Sequence, residues 1–301
     1  MDIVRFKSGL GNQMFQYAYY QALKAEGRKV KASLGHYNRH PEKMRFCLTE
    51  VFPQIKMEYI SDEEFDAIDA QWKKIRDNKE ELYVFLRDYK KRFFWVEEKD
   101  LQYRPEVFET CNCVFVGFWQ TEKYFSSIRD ILLQDFQFAD GEANLDKWCK
   151  RILDRDNYVA VHIRRGDYLN HPEVWGNLSE SKYYPNAIYY MEQKVRKPIW
   201  VFFSDDIEWV KANYNYENAI YVEESMFVNY KSWYDMCLMS CCSHNIIANS
   251  SFSWWGAWLN RNKEKIVIAP DRWFFDGRSA KDICPDTWVK SSVDKSGELT
   301  I

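Results

Sequence analysis

The sequence has almost no excess of charge and no long apolar run. Its 301 residues include 42 lysines and arginines against 45 aspartates and glutamates, which leaves a formal net charge of −3. Such a balance gives no bulk attraction to a polyanion, so nucleic acid is not expected as a main partner. A membrane span needs about 20 consecutive apolar residues, and neither such a run nor an apolar leader at the N-terminus is present. We therefore expect a cytoplasmic protein without a transmembrane segment, and peripheral membrane association stays open.

The motifs of common nucleotide and metal sites are also missing. The sequence contains no Gly-x-x-x-x-Gly-Lys-Ser/Thr phosphate loop and no Gly-x-Gly-x-x-Gly dinucleotide loop. None of its eight cysteines forms a Cys-x-x-Cys pair, so we expect them to be reduced and structural. The only Asp-x-Asp, at residues 154–156, precedes a predicted strand and indicates an exposed helix end rather than a metal clamp. We therefore expect neither a metal nor a cofactor.

The second half of the chain alternates short apolar runs with helical patterns. The predicted strands are 158–163, 200–203, 220–222, 245–248 and 265–269. Strands that alternate with helices predict βαβ units with right-handed crossovers, which leave the carboxyl ends of the strands at one edge of a parallel sheet. The chain length favours two domains, and the start of the regular alternation predicts a boundary near residue 155.

The first half of the chain predicts fewer elements. Its predicted strands are 3–6, 29–32 and 113–118. Its predicted helices are 13–26, 124–133 and 145–153, the first preceded by a turn at residues 9–12 and closed by Gly27. The acidic stretch from Ser61 to Glu64 resembles a helix start. The topology of residues 39–110 is not predicted.

A dense cluster of polar residues follows the buried run 158–161. Residues 162–168 read His-Ile-Arg-Arg-Gly-Asp-Tyr, so Arg164 and Arg165 lie at the carboxyl end of a predicted strand. Ligands bind at that end in open α/β sheets, and a guanidinium can hold a phosphate with two parallel hydrogen bonds. Both arginines are therefore candidate phosphate ligands. The alternative is a pair of surface salt bridges beside an ordinary exposed turn.

Two other predicted strands also end in polar side chains. Residues 249–253, Asn-Ser-Ser-Phe-Ser, precede an apolar segment of helical length, where backbone amides bind anions, although capping by one serine explains the same pattern. Asp206 follows the strand 200–203, and its carboxylate either accepts hydrogen bonds from a base or ribose or caps the next helix. Asp235 faces either the same cleft or solvent. His162 either contacts a base edge or is a hydrogen-bonded core residue.

Three segments in a fixed order give the sequence a family resemblance. Residues 9–18 read GLGNQMFQYA, and together with residues 162–168 and 249–259 they resemble the α1,2-fucosyltransferases of glycosyltransferase family 11, especially the short bacterial members. The resemblance covers most of the chain. It implies a GT-B-like α/β fold with two Rossmann-like domains that face a central cleft. Residues 1–155 would form the N-terminal acceptor-side domain, and residues 156–301 the C-terminal domain that binds GDP-β-L-fucose.

The same resemblance assigns roles to individual residues. His162 and Asp206 would contact guanine, and Arg164 would bind the β-phosphate. The phosphate contacts at the helix start would come from Ser250, Ser251, Phe252 and Ser253. The residues of the N-terminal loop that would face the sugar diphosphate are Gly11, Asn12 and Gln13. Arg165 and Asp235 complete the predicted substrate site.

The implied reaction is a metal-independent, inverting transfer in which a galactose 2-hydroxyl attacks C1 of fucose and gives an α1,2 linkage. Arg164 would stabilise the charge that develops on the departing phosphate. Asp167 would either take the hydroxyl proton or only orient Arg165; Glu173 is a weaker candidate base, and a very dissociative transition state would need no strong base. The expected acceptor is a galactose-terminated glycan of a surface polysaccharide. Two alternatives stay open: a non-catalytic protein that binds a nucleotide sugar or glycan, and a transferase that uses another GDP-sugar.

Overall fold

The chain forms two α/β units. The structure is a computed structural model that describes residues 1–42, 44–76, 94–98, 100–294 and 299–300. The first unit comprises residues 1–137 together with 281–283, and the second comprises residues 138–280 together with 284–301. Each unit has its own sheet, parallel in the first unit and mainly parallel in the second, which confirms the predicted α/β class.

The first unit is built around the sheet order β2-β1-β4-β3, with every described pair parallel. In chain order its elements are β1 (Asp2–Arg5), α1 (Leu10–Ala25), β2 (Val30–Ser33), α2 (Gly35–Arg39), α3 (Leu48–Val51), α4 (Asp62–Arg76), β3 (Phe94–Glu97), β4 (Cys113–Val116) and α5 (Arg129–Asp135). The three predicted strands are confirmed, and so is the helix start at Ser61, whose hydroxyl accepts a hydrogen bond from the amide of Glu64 at 3.1 Å.

Helix α1 begins three residues earlier than predicted. The amides of Asn12 and Gln13 both donate to the carbonyl of Gly9, each at 3.0 Å, so the expected turn is the first turn of the helix itself. Gly27 follows the helix with a φ of 75°, a left-handed conformation that suits glycine. The predicted helix 124–133 is an α-helix only from Arg129 onward, where α5 begins. Two short 3₁₀ turns, Glu122–Tyr124 and Ser126–Ile128, precede it.

The second unit contains the longer sheet, in the order β11-β10-β9-β8-β5-β6-β7. In chain order its elements are α6 (Ala143–Leu153), β5 (Tyr158–Ile163), α7 (Pro172–Trp175), α8 (Tyr183–Lys194), β6 (Ile199–Ser204), α9 (Ile207–Asn213), β7 (Ala219–Tyr221), α10 (Trp233–Cys241), β8 (His244–Ile246), α11 (Ser251–Leu259), β9 (Val267–Pro270), β10 (Val289–Ser291) and β11 (Leu299–Thr300). The five predicted strands are confirmed. Strands β10 and β11 were not predicted, and they form the antiparallel pair of this sheet.

Strand β5 lies near the middle of this sheet and fixes the position of the site. All six of its residues are buried, and it pairs in parallel with β6 on one side and β8 on the other. The chain runs from β5 to β6 and β7 in one direction and from β8 to β9 and β10 in the other. The strand order therefore reverses between β5 and β8, which is where open α/β sheets form a crevice at their carboxyl ends.

The two units divide earlier in the chain than the sequence analysis predicts. Residues 138–155 belong to the second unit, where α6 packs against α10 and the Glu142 carboxylate accepts the amide of Val228 at 2.9 Å. Asp282 belongs to the first unit, because its carboxylate accepts the amide of Tyr103 at 2.9 Å and pairs with Lys123 at 2.6 Å. The separate roles expected for residues 1–155 and 156–301 remain predictions.

Within the described ranges, none of the helices combines the length and the apolar character that a membrane crossing requires.

Candidate functional site

The candidate site lies where β5, β6 and β8 end. The loop after β5 carries Arg164 and Arg165, the loop after β6 carries Asp205 and Asp206, and the loop after β8 leads into α11. Ile163 pairs with Ser204 in the sheet, so the two arginines emerge directly beside the two aspartates. Parallel strands with the order reversed between β5 and β8 thus bring three polar segments to one edge.

Arg165 is buried and fully engaged with its own unit. Only 8% of the residue is exposed. Its Nε donates to Asp206 Oδ2 at 3.0 Å, its Nη1 donates to the hydroxyl of Ser179 at 2.7 Å, and its guanidinium lies 3.8 Å from the centre of the Trp209 ring. Asp206 also caps α9 by accepting the amide of Trp209 at 3.3 Å. Arg165 and Asp206 therefore tie the β5 loop to the start of α9, and the predicted capping role of Asp206 is confirmed.

Arg164 points to the surface and is held by two carboxylates. Its Nε and Nη2 donate to Asp167 Oδ1 at 3.0 and 2.6 Å, and its Nη1 lies 3.0 Å from Asp205 Oδ2. The side chain is 34% exposed and that of Asp167 is 64% exposed. Asp167 therefore pairs with Arg164, not with Arg165 as one alternative from the sequence had it.

Asp205 holds both arginines, and the sequence analysis passed over it. Its Oδ1 accepts the backbone amide of Arg165 at 2.9 Å while Oδ2 pairs with Arg164. The backbone of Gly166 runs so close to this carboxylate that a Cβ at that position would overlap it. Two adjacent aspartates at the end of a buried strand were the available signal, but only the strand register shows which of them faces Arg164.

His162 is a buried, neutral histidine with one unpartnered ring nitrogen. Burial, and to a lesser extent the charge of Arg164, lowers its pKa to about 3. In the described part of the chain its Nδ1 has no hydrogen-bond partner, and its ring lies 6.1 Å from that of Phe252, centre to centre. A buried polar atom without a partner is costly, and such atoms often mark a place where a ligand binds.

The segment after β8 forms the N-terminus of α11. Ser250 caps the helix by accepting the amide of Phe252 at 3.3 Å, so the capping alternative is confirmed for this serine. Ser251 is half-buried, whereas Ser253 is fully buried and its hydroxyl lies 3.4 Å from the carbonyl of Ser250. At the helix start the Ser250 hydroxyl and the Phe252 amide therefore bond each other, Ser251 remains half-buried, and Ser253 faces into the unit.

Tyr168 joins the β5 loop to the β8 loop and was also missed by the sequence analysis. Its hydroxyl donates to the carbonyl of Asn249 at 3.0 Å, and its ring stacks on Trp175 at 4.9 Å between ring centres. The guanidinium of Arg164 lies 5.6 Å from the centre of the Tyr168 ring. Asn249 in turn donates to the carbonyls of Trp175 and Trp273 at 2.8 and 2.9 Å. These contacts hold Arg164 and the α11 N-terminus in one rigid arrangement.

The candidates from the N-terminal segment belong to the first unit, whereas the arginine cluster belongs to the second. Gln13 is fully buried, donates to the carbonyls of Ser8 and Arg45 at 2.9 and 3.0 Å, and accepts the amides of Cys47 and Leu48 at 3.1 Å each. Asn12 donates to the Ser8 hydroxyl at 2.9 Å and accepts a hydrogen bond from Gln120. Gly11 is buried in the first turn of α1. The amide side chains of this segment thus organise the loop before α1.

Asp235 lies in the first turn of α10. Burial raises its pKa to about 7, although a hydrogen bond from Tyr230 acts in the opposite direction. Its Oδ1 is buried and has no partner among the residues that the structure describes. Its predicted membership in the substrate site remains a prediction, since no described hydrogen bond or ion pair connects it to the arginine cluster.

A buried carboxyl of the first unit, Glu98, was not singled out from the sequence. It follows β3 and accepts the backbone amides of Phe118 at 2.6 Å and Trp119 at 3.0 Å. Burial raises its pKa to about 7, while these two hydrogen bonds and the charge of Lys7 act against that shift. Glu98 therefore holds the loop after β4 and titrates close to neutral pH.

Comparisons with known proteins relate the chain to glycosyltransferases. A family model described as Glycosyl transferase family 11 matches residues 1–292. An alpha-1,2-colitosyltransferase of Escherichia coli is 34% identical over 298 residues, which are 96% of this chain and 98% of the relative. The O-antigen biosynthesis glycosyltransferase WbnK of Escherichia coli is 32% identical, over 93% of this chain and 97% of the relative.

More distant proteins resemble the chain in sequence or in fold. The galactoside 2-alpha-L-fucosyltransferase SEC1 of Bos taurus is 26% identical over 85% of this chain and 63% of its own length. The crystal structure of NodZ alpha-1,6-fucosyltransferase co-crystallized with GDP superimposes with a TM-score of 0.51 at 12% identity, covering 99% of this chain and 97% of that one. This likeness confirms the GT-B-like fold class. With the family match over nearly its whole length, the chain belongs to glycosyl transferase family 11.

Proposed function

We propose that this glycosyltransferase moves L-fucose from GDP-β-L-fucose to the 2-hydroxyl of a terminal galactose, with inversion at C1 and formation of an α1,2 linkage. Two relatives support the linkage, since one is named an alpha-1,2-colitosyltransferase and the other a galactoside 2-alpha-L-fucosyltransferase. The name of a third relative, an O-antigen biosynthesis glycosyltransferase, supports a surface polysaccharide as acceptor. We assign the donor to the second unit and the acceptor to the first.

The observation that carries the proposal is the surface-facing guanidinium of Arg164 beside the N-terminus of α11. A diphosphate carries negative charge that both groups bind, the arginine through charge-assisted hydrogen bonds and the helix through the positive end of its dipole. Tyr168 contacts the Arg164 side chain and the loop before α11, so the two anion-binding groups share one support. In this proposal the β-phosphate binds the N–H groups of Arg164 that Asp167 and Asp205 leave free, since the two carboxylates accept from three of the five, and the backbone amide of Ser251 donates to another phosphate oxygen.

The guanine base is assigned to His162 and Asp206. The unpartnered Nδ1 of His162 supports this role, because a ligand atom would satisfy it. Asp206 uses its two oxygens for Arg165 and for the α9 cap, yet its side chain remains 39% exposed. A carboxylate has about four lone-pair sites, so Asp206 can still accept a hydrogen bond from a base amine.

The chemical step depends on charge that appears as GDP leaves. Negative charge builds on the β-phosphate while the sugar approaches an oxocarbenium ion, so Arg164 interacts more strongly with the transition state than with the bound donor. Removing one such group typically costs about 3 to 4 kcal/mol, or roughly 100- to 1,000-fold in rate. Arg164 and the helix amides thereby supply the positive charge that a divalent cation supplies in other transferases, and the proposed transfer is metal-independent.

We assign Asp167 to the positioning of Arg164. Its carboxylate lies 2.6 Å from Nη2 of Arg164, an engagement that supports orientation rather than proton abstraction. An Asp167→Asn variant separates the two roles. We expect a raised KM for the donor with the pH profile of kcat unchanged, whereas loss of a limb of that profile would make Asp167 the general base.

The test is an incubation of the purified chain with GDP-fucose and lactose, with and without a chelator, followed by mass spectrometry of the product and measurement of released GDP. We expect fucosyl-lactose in both conditions and a rate roughly 100- to 1,000-fold lower for Arg164→Ala. Arg39→Ala is the matched control, because Arg39 is an ion-paired arginine of the first unit with 39% of its side chain exposed. GDP binding without any transfer would favour the non-catalytic alternative, and full turnover by Arg164→Ala would remove the proposed role of Arg164.

A specific observation favours a second donor, GDP-colitose. The 34% identical relative is named a colitosyltransferase, and colitose is fucose without its 3-hydroxyl. A site that hydrogen-bonds a hydroxyl rejects the analogue that lacks it by about 10⁴-fold or more. Comparing kcat/KM for the two donors therefore decides between them: a preference for GDP-colitose would overturn fucose as the transferred sugar and leave the phosphate site as described.

The eight free cysteines support action in the cytoplasm, where thiols stay reduced.

A further inference from the structure

Three cysteines of the second unit form a cluster that the proposed transfer does not use. Cys149 lies on α6, and Cys237 and Cys241 lie on α10, where a spacing of four residues places both on one face of the helix. Their sulfur atoms all lie within 4.8 Å of one another, and those of Cys149 and Cys237 are 3.8 Å apart. Two helices from distant parts of the chain thus present three thiols to one point.

The spacing of the sulfur atoms fits a thiolate-bound cation. Zinc–thiolate bonds of about 2.3 Å at tetrahedral angles hold sulfur atoms about 3.8 Å apart. The sulfur atoms of Cys149 and Cys237 are 3.8 Å apart, and that of Cys241 lies within 4.8 Å of both. The cluster is therefore close to the geometry of three corners of a tetrahedron.

Metal binding by the cluster would release protons. A thiolate is the form of cysteine that binds a metal, so a cation would replace the S–H protons of the three thiols and release them to solvent.

The cluster has access to solvent at a place distinct from the donor site. Cys241 lines an open cleft of about 870 Å³ together with Asp156, Ser240, Ser243 and Asn260, and all three cluster cysteines are only partly buried. Asp156 and Ser243 precede β5 and β8, so the cleft lies at the amino ends of the strands. The arginines and the α11 N-terminus lie at the carboxyl ends. A ligand of the cluster would therefore not compete with the donor.

We propose that Cys149, Cys237 and Cys241 bind one soft divalent cation of the zinc class through three thiolates, with a fourth coordination position open to the cleft. The cation ties α6 to α10. This proposal does not depend on which sugar the enzyme transfers, since it concerns a separate group of side chains.

The first test is titration of the reduced full-length chain with Co²⁺, a coloured probe of zinc sites, followed by competition with Zn²⁺. We expect one Co²⁺ per chain with a thiolate-to-cobalt charge-transfer band that Zn²⁺ abolishes. Loss of an outer-shell partner alone weakens metal binding about 10- to 100-fold, so Cys149→Ser and Cys237→Ser should weaken it by at least about 100-fold. Cys111→Ser is the control, because Cys111 is an exposed free cysteine outside the cluster.

A second measurement uses the wild-type chain and so does not depend on the folding of any variant. Alkylation mapped by mass spectrometry should show that Zn²⁺ protects Cys149, Cys237 and Cys241 while Cys111 stays reactive. Binding without the charge-transfer band, an equal effect of Cys111→Ser, or unchanged alkylation of the three cysteines would each overturn the proposal. A disulfide between Cys149 and Cys237 that resists reduction would also overturn the proposal.

Discussion

Arg164 and Arg165 are neighbours in sequence, yet their removal should produce opposite defects. Arg165 is buried against Asp206, Ser179 and Trp209. Arg164 is partly exposed and pairs with the exposed Asp167 and the less exposed Asp205. We therefore expect Arg165→Ala to lower the free energy of unfolding. Arg164→Ala should leave stability nearly unchanged and lower the transfer rate.

The structure gives the size of each effect. Breaking a buried ion pair costs about 3 to 5 kcal/mol, but the Asp206 side chain is 39% exposed and can be hydrated after the loss, so we take about 2 kcal/mol. The stacking of the guanidinium on Trp209 adds about 1 kcal/mol, which gives roughly 3 kcal/mol for Arg165→Ala. Surface ion pairs are worth less than about 1 kcal/mol, so Arg164→Ala should stay below that value.

Urea unfolding followed by tryptophan fluorescence measures the stability of both variants, and single-turnover transfer at low temperature measures the chemical step while both remain folded. We expect roughly a 100- to 1,000-fold slower step for Arg164→Ala, the size of loss typical when a group that stabilises developing charge is removed. Equal destabilisation by the two substitutions would refute the contrast between a buried and a surface arginine. A wild-type transfer rate in Arg164→Ala, together with no transfer by a folded Arg165→Ala, would show that the two arginines have the opposite roles.

Three further predictions test single features of the two units. A Cβ in Gly166→Ala would overlap the Asp205 carboxylate that pairs with Arg164, so steady-state kinetics should show lower donor affinity and slower transfer while circular dichroism shows an intact fold. Burial raises the pKa of Glu98 from 4.5 to about 7, so the stability that the protonated carboxyl contributes is present below pH 4.5 and is lost as the pH rises through 7, by up to about 3 kcal/mol. Urea unfolding from pH 4 to 8 should show this fall in the free energy of unfolding for the wild-type chain relative to Glu98→Gln. Parallel pH dependences of the two chains would contradict the prediction. A Cβ added at Gly256 of α11 would lie 2.9 Å from the Cβ of Met239, so Gly256→Leu should lower the free energy of unfolding by at least about 2 kcal/mol. Wild-type stability of this variant in the same urea assay would show that α10 and α11 can separate.

The position of the site could be predicted from the sequence because it follows from local signals. The residues of β5 form an apolar run without polar alternation, which is typical of a strand buried on both faces, and the structure buries all six of them. Right-handed crossovers then bring the polar ends of β5, β6 and β8 to one edge. No knowledge of side-chain contacts was needed for this step.

The separate tasks of the two arginines could not be predicted in the same way. Consecutive residues after a strand point in different directions, and which of them meets a carboxylate depends on the register of the next strand. Ile163 pairs with Ser204, and this register sets Arg164 against Asp205 and Arg165 against Asp206. Strand β10, with lysine at the centre of three residues, likewise carries too little local signal, since pairing with β9 rather than intrinsic propensity makes it a strand.

The segment at residues 9–18 contains a side chain with a clear structural task. Gln13 is fully buried and uses its amide on four backbone groups, from Ser8 to Leu48, so any side chain without both a donor and an acceptor would leave those groups unpaired. Its contribution is therefore to fix the backbone between β1 and α1, and the groups that this loop presents outward are backbone atoms and the half-buried Asn12. The Gln13 side chain therefore acts through the loop that it holds in place, and the expected contact of this loop with the sugar diphosphate remains a prediction.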